Sequence, residues 1–279
     1  MIIDFHTHVL PPQIKTDCRR CVEKDAAFAA IYSGEKLAMA TAEDLIADMD
    51  RDGVDVSLIV NYSWATHELC VETNDYVLES INHYPERLYG FCAVSSCRDD
   101  QSLREIERCA SSGARGIGEL RPDTEVFGFT GPESINDFTS LLQEHQLMVL
   151  THASEPVGHQ YPGKGQATPD VLCHFIESLG DMTVICAHWG GGLPFYTLMP
   201  EVKRALENVY FDTAVSPFLY SPAVYRRVND LVGPGKIIFG SDYPVMSAER
   251  IITEIDSAGL PQEDREAILA GNARKLLGI

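Results

Sequence analysis

Short apolar runs rich in Val, Ile and Phe recur along this chain, and between them lie longer stretches whose apolar positions fall three and four apart. The runs are IIDF (2–5), VDVSLIV (54–60), LYGFCAV (88–94), ARGIGE (114–119), LMVLTH (147–152), MTVICAH (182–188), VYFDT (209–213) and KIIFGSD (236–242), and each predicts a strand. The intervening stretches predict helices, several with start signals. Thr41 to Asp44 reads as a capping box ahead of Leu45, Ile46 and Met49, while Thr168-Pro169 and Ser221-Pro222 each set a hydroxyl before a proline at the first helical position. Strands that are each followed by a helix return in the same direction, and eight of them bury both sheet faces when closed into a (β/α)8 TIM barrel. An open doubly wound sheet is the alternative. No repeat or low-complexity linker divides the sequence, so 1–279 reads as a single domain, with insertions at about 9–40 and about 155–168 that exceed what a crossover needs.

Composition narrows the partners. With 45% hydrophobic and 23% charged residues the chain can bury a sizeable core, and 41 acidic against 22 basic residues give a net charge of −19. That charge repels phosphate backbones and anionic membrane surfaces, which excludes nucleic acid and membrane as expected partners and leaves a small molecule. The start carries no signal-peptide pattern and no apolar run is long enough to span a bilayer, so the expected location is cytoplasmic. The eight cysteines are scattered through a long chain and read as reduced thiols; CRRC at Cys18 to Cys21 is the one redox-like spacing and stands without a second pair.

The candidate chemistry sits at the strand ends. His6 and His8, two apart at the end of the first run, project to the same face. The fourth run ends at Glu119, the fifth at His152, the sixth at His188 and the eighth at Asp242. In a barrel all C-terminal strand ends open onto one mouth, so these six residues converge there. Imidazoles and carboxylates together form a ligand set for zinc that also suits manganese, nickel or iron.

The pieces DFHTH, LTHAS, CAHWGGG, FGSDYP and GNARKLLGI, in this order along the chain, resemble the amidohydrolase superfamily. They are most similar to its amidohydrolase-related branch, which includes the aminocarboxymuconate-semialdehyde decarboxylase type. The resemblance implies a (β/α)8 barrel with His6, His8 and Asp242 at one metal site, His152 and His188 completing it or supplying a second, and a chain that forms dimers. GIGELRPD departs from the decarboxylase type, which holds one ion and takes no ligand from the fourth strand; binuclear relatives use a carboxylate there. Glu119 is accordingly expected to bridge two ions, with a rim ion pair to Arg121 or Arg115 as the alternative. Two divalent ions, zinc first, share and activate a water, with Asp242 taking its proton. On this reading the protein is a metal-dependent hydrolase of a small amide, lactone or ester. The alternative is a metal-dependent decarboxylase of a small unsaturated or aromatic acid, with Asp242 or His188 handling a proton. Arg121 is the candidate anchor for a substrate carboxylate, and Trp64 and Trp189 are candidate apolar walls.

Overall fold

The computed structural model describes residues 1–33, 37–124 and 135–279. Its strands are β1 (Ile3–Thr7), β2 (Val56–Val60), β3 (Leu88–Cys92), β4 (Gly116–Leu120), β5 (Met148–Thr151), β6 (Val184–Cys186), β7 (Val209–Asp212) and β8 (Ile237–Ile238), paired parallel in sequence order. The sheet comes round on itself: Phe5 N–H donates to the Phe239 carbonyl at 2.8 Å, Asp242 N–H to His6 at 2.8 Å, and His8 N–H to Tyr243 at 2.7 Å. The architecture is the expected (β/α)8 barrel, not the open sheet. β8 is far shorter than its apolar run because the chain beyond it spends its backbone donors on side chains, Gly240 N–H on Thr213 Oγ1 and Ser241 N–H on Asp4 Oδ1.

β1 is followed by three short helices, α1 (Pro12–Thr16), α2 (Arg19–Lys24) and α3 (Ala26–Tyr32), and then by α4 (Ala42–Asp52). After β2 to β6 come α5 (His67–His83), α6 (Asp100–Ser111), α7 (Asn136–Glu144), α8 (Pro169–Leu179) and α9 (Pro200–Ala205). After β7 come α10 (Ser216–Leu219) and α11 (Ala223–Val232), and after β8 α12 (Ala248–Ser257), α13 (Gln262–Glu266) and α14 (Asn272–Leu277). The Thr41 capping box forms, and Gly53 ends α4 at φ 74°. Thr168 and Pro169 do start α8, but the Thr168 hydroxyl turns to Asp170. α11 starts one residue later than expected, with Pro222 ahead of it.

Strand residues such as Ile59, Val149 and Phe211 pack outward on Leu45, Ile106 and Phe175 of the helices. A separate cluster joins Phe5, Leu58, Phe91 and Leu150 to Ala273 and Leu277 of α14. The 9–40 insertion is more than a loop. Helices of this length are unstable alone; what holds them is a third cluster in which Phe28 stacks on Trp64 at 4.7 Å and on Tyr32 at 4.5 Å. Each such buried aromatic contributes on the order of 1.5–3 kcal/mol, enough to fasten the segment over the strand ends.

The register slips twice. Between Asp4 and Thr7 β1 advances three residues against two of β2, and between Ile117 and Leu120 β4 does the same against β5. Bulges of this kind re-aim side chains beside functional sites, and these two carry His6 and Glu119. Among the described residues no helix is long and apolar enough to cross a membrane.

Candidate metal centre

The six expected donors meet at the mouth. His6 and His8 bring their Nε2 atoms to 3.0 Å, and Asp242 Oδ1 lies 3.1 Å from His8 Nε2 and 3.7 Å from His6 Nε2. Glu119 spans the cluster. Its Oε2 is 3.9 Å from His6 Nε2 and 3.7 Å from His8 Nε2, while its Oε1 is 2.8 Å from His152 Nδ1 and 3.7 Å from His188 Nε2. Two triads result, His6–His8–Glu119 and Glu119–His152–His188, each with ligand atoms within 4.8 Å of one another and both sharing Glu119. The rim alternative fails: Arg121 pairs with Asp123 at 3.1 Å, and Arg115 lies over the Tyr89 ring.

The far side of each imidazole is tied down. His6 Nδ1 donates to Asp212 Oδ2 at 2.7 Å, His8 Nδ1 to the Val60 carbonyl at 2.8 Å, and His188 Nδ1 to the Ala214 carbonyl at 3.4 Å. A carbonyl or carboxylate can only accept, so these protons belong on Nδ1 and leave the Nε2 lone pairs turned inward. There they face one another and two carboxylates, a set of acceptors that only a cation completes. Two nitrogens 3.0 Å apart are also correctly spaced to share one ion at roughly 2.0–2.1 Å from each. The residues fit a divalent metal.

Without an ion, protons take that place. Burial pushes the His6 pKa down, but Asp212, with Asp242 and Glu119 behind it, raises it to about 10. His188 is likewise depressed by burial and lifted to about 9 by Glu119, Asp242 and Asp212. Burial opposes ionisation of Glu119 as well, yet His152, His188 and His6 hold its carboxyl well below the usual range. Asp242 follows the same balance, with His8 and His6 overcoming burial, whereas burial outweighs Glu119 at His152 and lowers its pKa.

Asp212 was not among the candidates, although it ends β7 and the strand-end logic that found the others covers it. Besides holding His6 it accepts His188 N–H at 2.8 Å and Ala214 N–H at 3.0 Å. His188 and Asp242 sit in the left-handed region, with φ of 53° and 66°, a strained backbone at the residues that carry the donors. The glycines after His188 serve close approach: a Cβ on Gly191 would lie 2.4 Å from the Ser154 carbonyl oxygen.

Above the donors opens a cavity of about 330 Å³ with His8, Glu119, His152, His188 and Asp242 in its lining. Ile31, Tyr32 and Leu37 of the first insertion form one apolar part, and Val215, Phe218 and Leu219 another. Arg121 lines it as expected, and so do His159 and Tyr161 of the second insertion. The two tryptophans do not. Trp64 is 1% exposed, stacked on Phe28 with its indole N–H on Asn61, and Trp189 is 0% exposed with its N–H on Ser216. Both are packing beneath the mouth, and the walls expected of them come instead from α3 and α10. Tyr32 lay in an insertion whose packing the strand pattern did not reveal. Cys18 and Cys21 are unpaired, Cys21 buried in α2.

A family model described as Amidohydrolase matches residues 3–279. A 6-methylsalicylic acid decarboxylase of Penicillium expansum is 25% identical over 227 residues, which is 69% of each protein. Among solved structures, 5-carboxyvanillate decarboxylase from Sphingomonas paucimobilis superposes with a TM-score of 0.75 at 16% identity, covering 100% of this chain and 99% of that one. A dihydroxybenzoic acid decarboxylase from Polaromonas sp. JS666, solved with bound manganese and an inhibitor, gives 0.72 at 16% identity over 99% and 96%. These relatives correct the hydrolase expected from the sequence. The strand-four carboxylate that favoured hydrolysis does not decide the reaction: these three relatives are decarboxylases, which remove a carboxyl group and do not split an amide, lactone or ester.

Proposed function

The chain belongs to the amidohydrolase family, and we propose that within it the protein is a metal-dependent decarboxylase of a small aromatic or unsaturated carboxylic acid. The observation that carries this reading is the likeness to 6-methylsalicylic acid decarboxylase over more than two thirds of both proteins. The cavity supports it: a small apolar chamber with cation-binding donors at its floor and one arginine in its lining suits a planar acid.

His6, His8, Glu119, His152, His188 and Asp242 are the residues that would hold the metal, with Glu119 presenting one oxygen to each triad so that the site takes one or two ions. Imidazole and carboxylate donors suit zinc and manganese alike, and the Polaromonas relative holds manganese. When bound, the divalent ion supplies fixed positive charge at the floor of the cavity, which favours an anionic substrate there.

In decarboxylation the bond from ring carbon to carboxyl breaks, its electron pair stays on the carbon, CO2 leaves, and one proton is added to that carbon. The chain must therefore orient the acid, keep water away and deliver one proton. Arg121, which lines the cavity, orients the acid, and Asp123 fixes its guanidinium through Nε and Nη2. Ile31, Leu37, Val215 and Phe218 exclude water. Asp242 and His188, both lining the cavity, carry the proton, the His188 ring being held by its Nδ1–H on the Ala214 carbonyl.

Metal-loaded protein incubated with hydroxybenzoates and unsaturated small acids, with CO2 and the decarboxylated product both quantified, tests the reading. Equal amounts of the two support it, and their absence across the series while esters or lactones are hydrolysed would end it.

A further inference from the structure

We propose that the paired hydroxyls of Tyr32 and Tyr62 recognise an oxygen on the substrate ring, so that the preferred acids carry a hydroxyl or oxo group away from the reacting carboxylate. The inference rests on the decarboxylase reading only in taking that reacting group to be a carboxylate.

Tyr62 follows β2 and lays its ring against the His8 imidazole, centroids 4.7 Å apart and planes 31° from parallel. Tyr32 comes from α3, and its ring stacks on Phe28. The two hydroxyl oxygens are 2.7 Å apart, and both residues line the cavity although each is under a tenth exposed, at 9% and 8%. Each phenol has one hydrogen to donate. Their mutual bond consumes one, and the hydroxyl that accepts it keeps its own hydrogen. Among the described residues nothing else accepts from either oxygen. A buried donor without an acceptor is costly, and the open direction for this one is the cavity.

The ligand atom that completes it must be an acceptor. The neighbouring Ser63 hydroxyl does not compete, because it donates to the Glu119 carbonyl. The substrate carboxylate belongs at the cationic floor beside Arg121, so the acceptor reaching the tyrosines is a second oxygen on the same molecule. The Phe28 ring packs edge-to-face on Tyr62 at 5.9 Å and stacks on Tyr32 at 4.5 Å, which fixes both phenols in place. Tyr32 and Tyr62 are thus positioning and specificity residues that sort oxygenated from bare aromatic acids.

The test is calorimetric titration of the metal-loaded protein with benzoate, 3-hydroxybenzoate and 4-hydroxybenzoate, whose hydroxyls are too far from their own carboxylates to chelate an ion with them. Wild-type protein is expected to bind one hydroxy acid about tenfold more tightly than benzoate. The Tyr32→Phe/Tyr62→Phe double variant keeps both rings, and with unchanged metal content it is expected to bind all three acids within about twofold. No preference in wild type, or a preference that survives in the double variant, overturns the proposal. Should the double variant fail to fold, the single variants decide: at least one must lose the preference, and full retention in both overturns it. Binding is read without turnover, so failure of every acid to release CO2 would sink the decarboxylase reading and leave this outcome standing.

Discussion

His6 Nδ1 and Asp212 Oδ2 meet at 2.7 Å, both side chains wholly buried. The same carboxylate accepts the backbone N–H of His188, so one side chain sets the ring of one donor and the backbone of another. Asp212→Asn keeps the volume and removes the charge. Groups that orient a ligating imidazole typically change metal affinity by about 10–100-fold, and a loss in that range is expected from competition against a chromogenic chelator. Unchanged affinity in a variant with native circular dichroism would remove Asp212 from the centre.

Glu119 separates a one-ion from a two-ion site. Its two oxygens face different triads, and a neutral amide cannot serve both. If two ions bind, Glu119→Gln is expected to lower the content of fully loaded protein from about two ions per chain to about one, read by elemental analysis after dialysis. A single ion in wild type, retained by the variant, would assign Glu119 to tuning the histidines.

Much of this was legible because strand ends in a closed barrel share one mouth, so a search for His, Asp and Glu at the ends of apolar runs recovers His6, His8, Glu119, His152, His188 and Asp242 without any knowledge of distance. What the pattern could not supply was depth. Trp64 and Trp189 follow their strands within four residues and Tyr62 within two, yet the tryptophans turn beneath the mouth to satisfy their indole N–H on Asn61 and Ser216, while Tyr62 turns into it. The bulges at His6 and Glu119 were equally hidden, since period-two alternation assumes an even ladder. The reaction was misjudged for a different reason: the donors that activate water also hold an acid, and the ligand list alone does not choose between them.

Metal binding is expected to release protons, with a pH dependence set by His6 and by His188, whose rings lie 5.6 Å apart. In stripped protein the pKa values of His6, about 10, and His188, about 9, both stand above the usual histidine value of 6.5. A raised folded-state pKa stabilises the fold fully below the unfolded value and loses that contribution as pH rises through the folded value. Stripped protein should therefore melt at falling temperature as pH rises from about 6.5 to about 10, and loaded protein, whose imidazoles carry no such protons, should not share that loss. At pH 8 both rings hold protons that an ion must displace, so titration calorimetry in buffers of differing ionisation enthalpy should report about two protons released per chain. No buffer dependence would show that the rings are already neutral.

Gly165 offers a way to move Arg121, the proposed substrate anchor, without touching the proposed metal ligands. A Cβ there would lie 1.9 Å from Arg121 Nη2 and 2.2 Å from Asp123 Oδ2. Both atoms are tips of flexible side chains, so Gly165→Ala is expected to fold and to displace the pair instead of the backbone. Gly165 N–H donates to Ser154, and Gln166 N–H donates to that same Asp123 oxygen, so the second insertion shifts with them. If Arg121 holds the substrate carboxylate, losing a charge-assisted hydrogen bond should raise KM by about tenfold or more, with metal content unchanged and kcat moved far less. Arg121→Lys, which keeps the charge and gives up the fork, should behave alike. A fall in kcat at constant KM would place Arg121 at the reacting carbon instead, and no kinetic change in either variant would leave the carboxylate to the floor of the cavity alone.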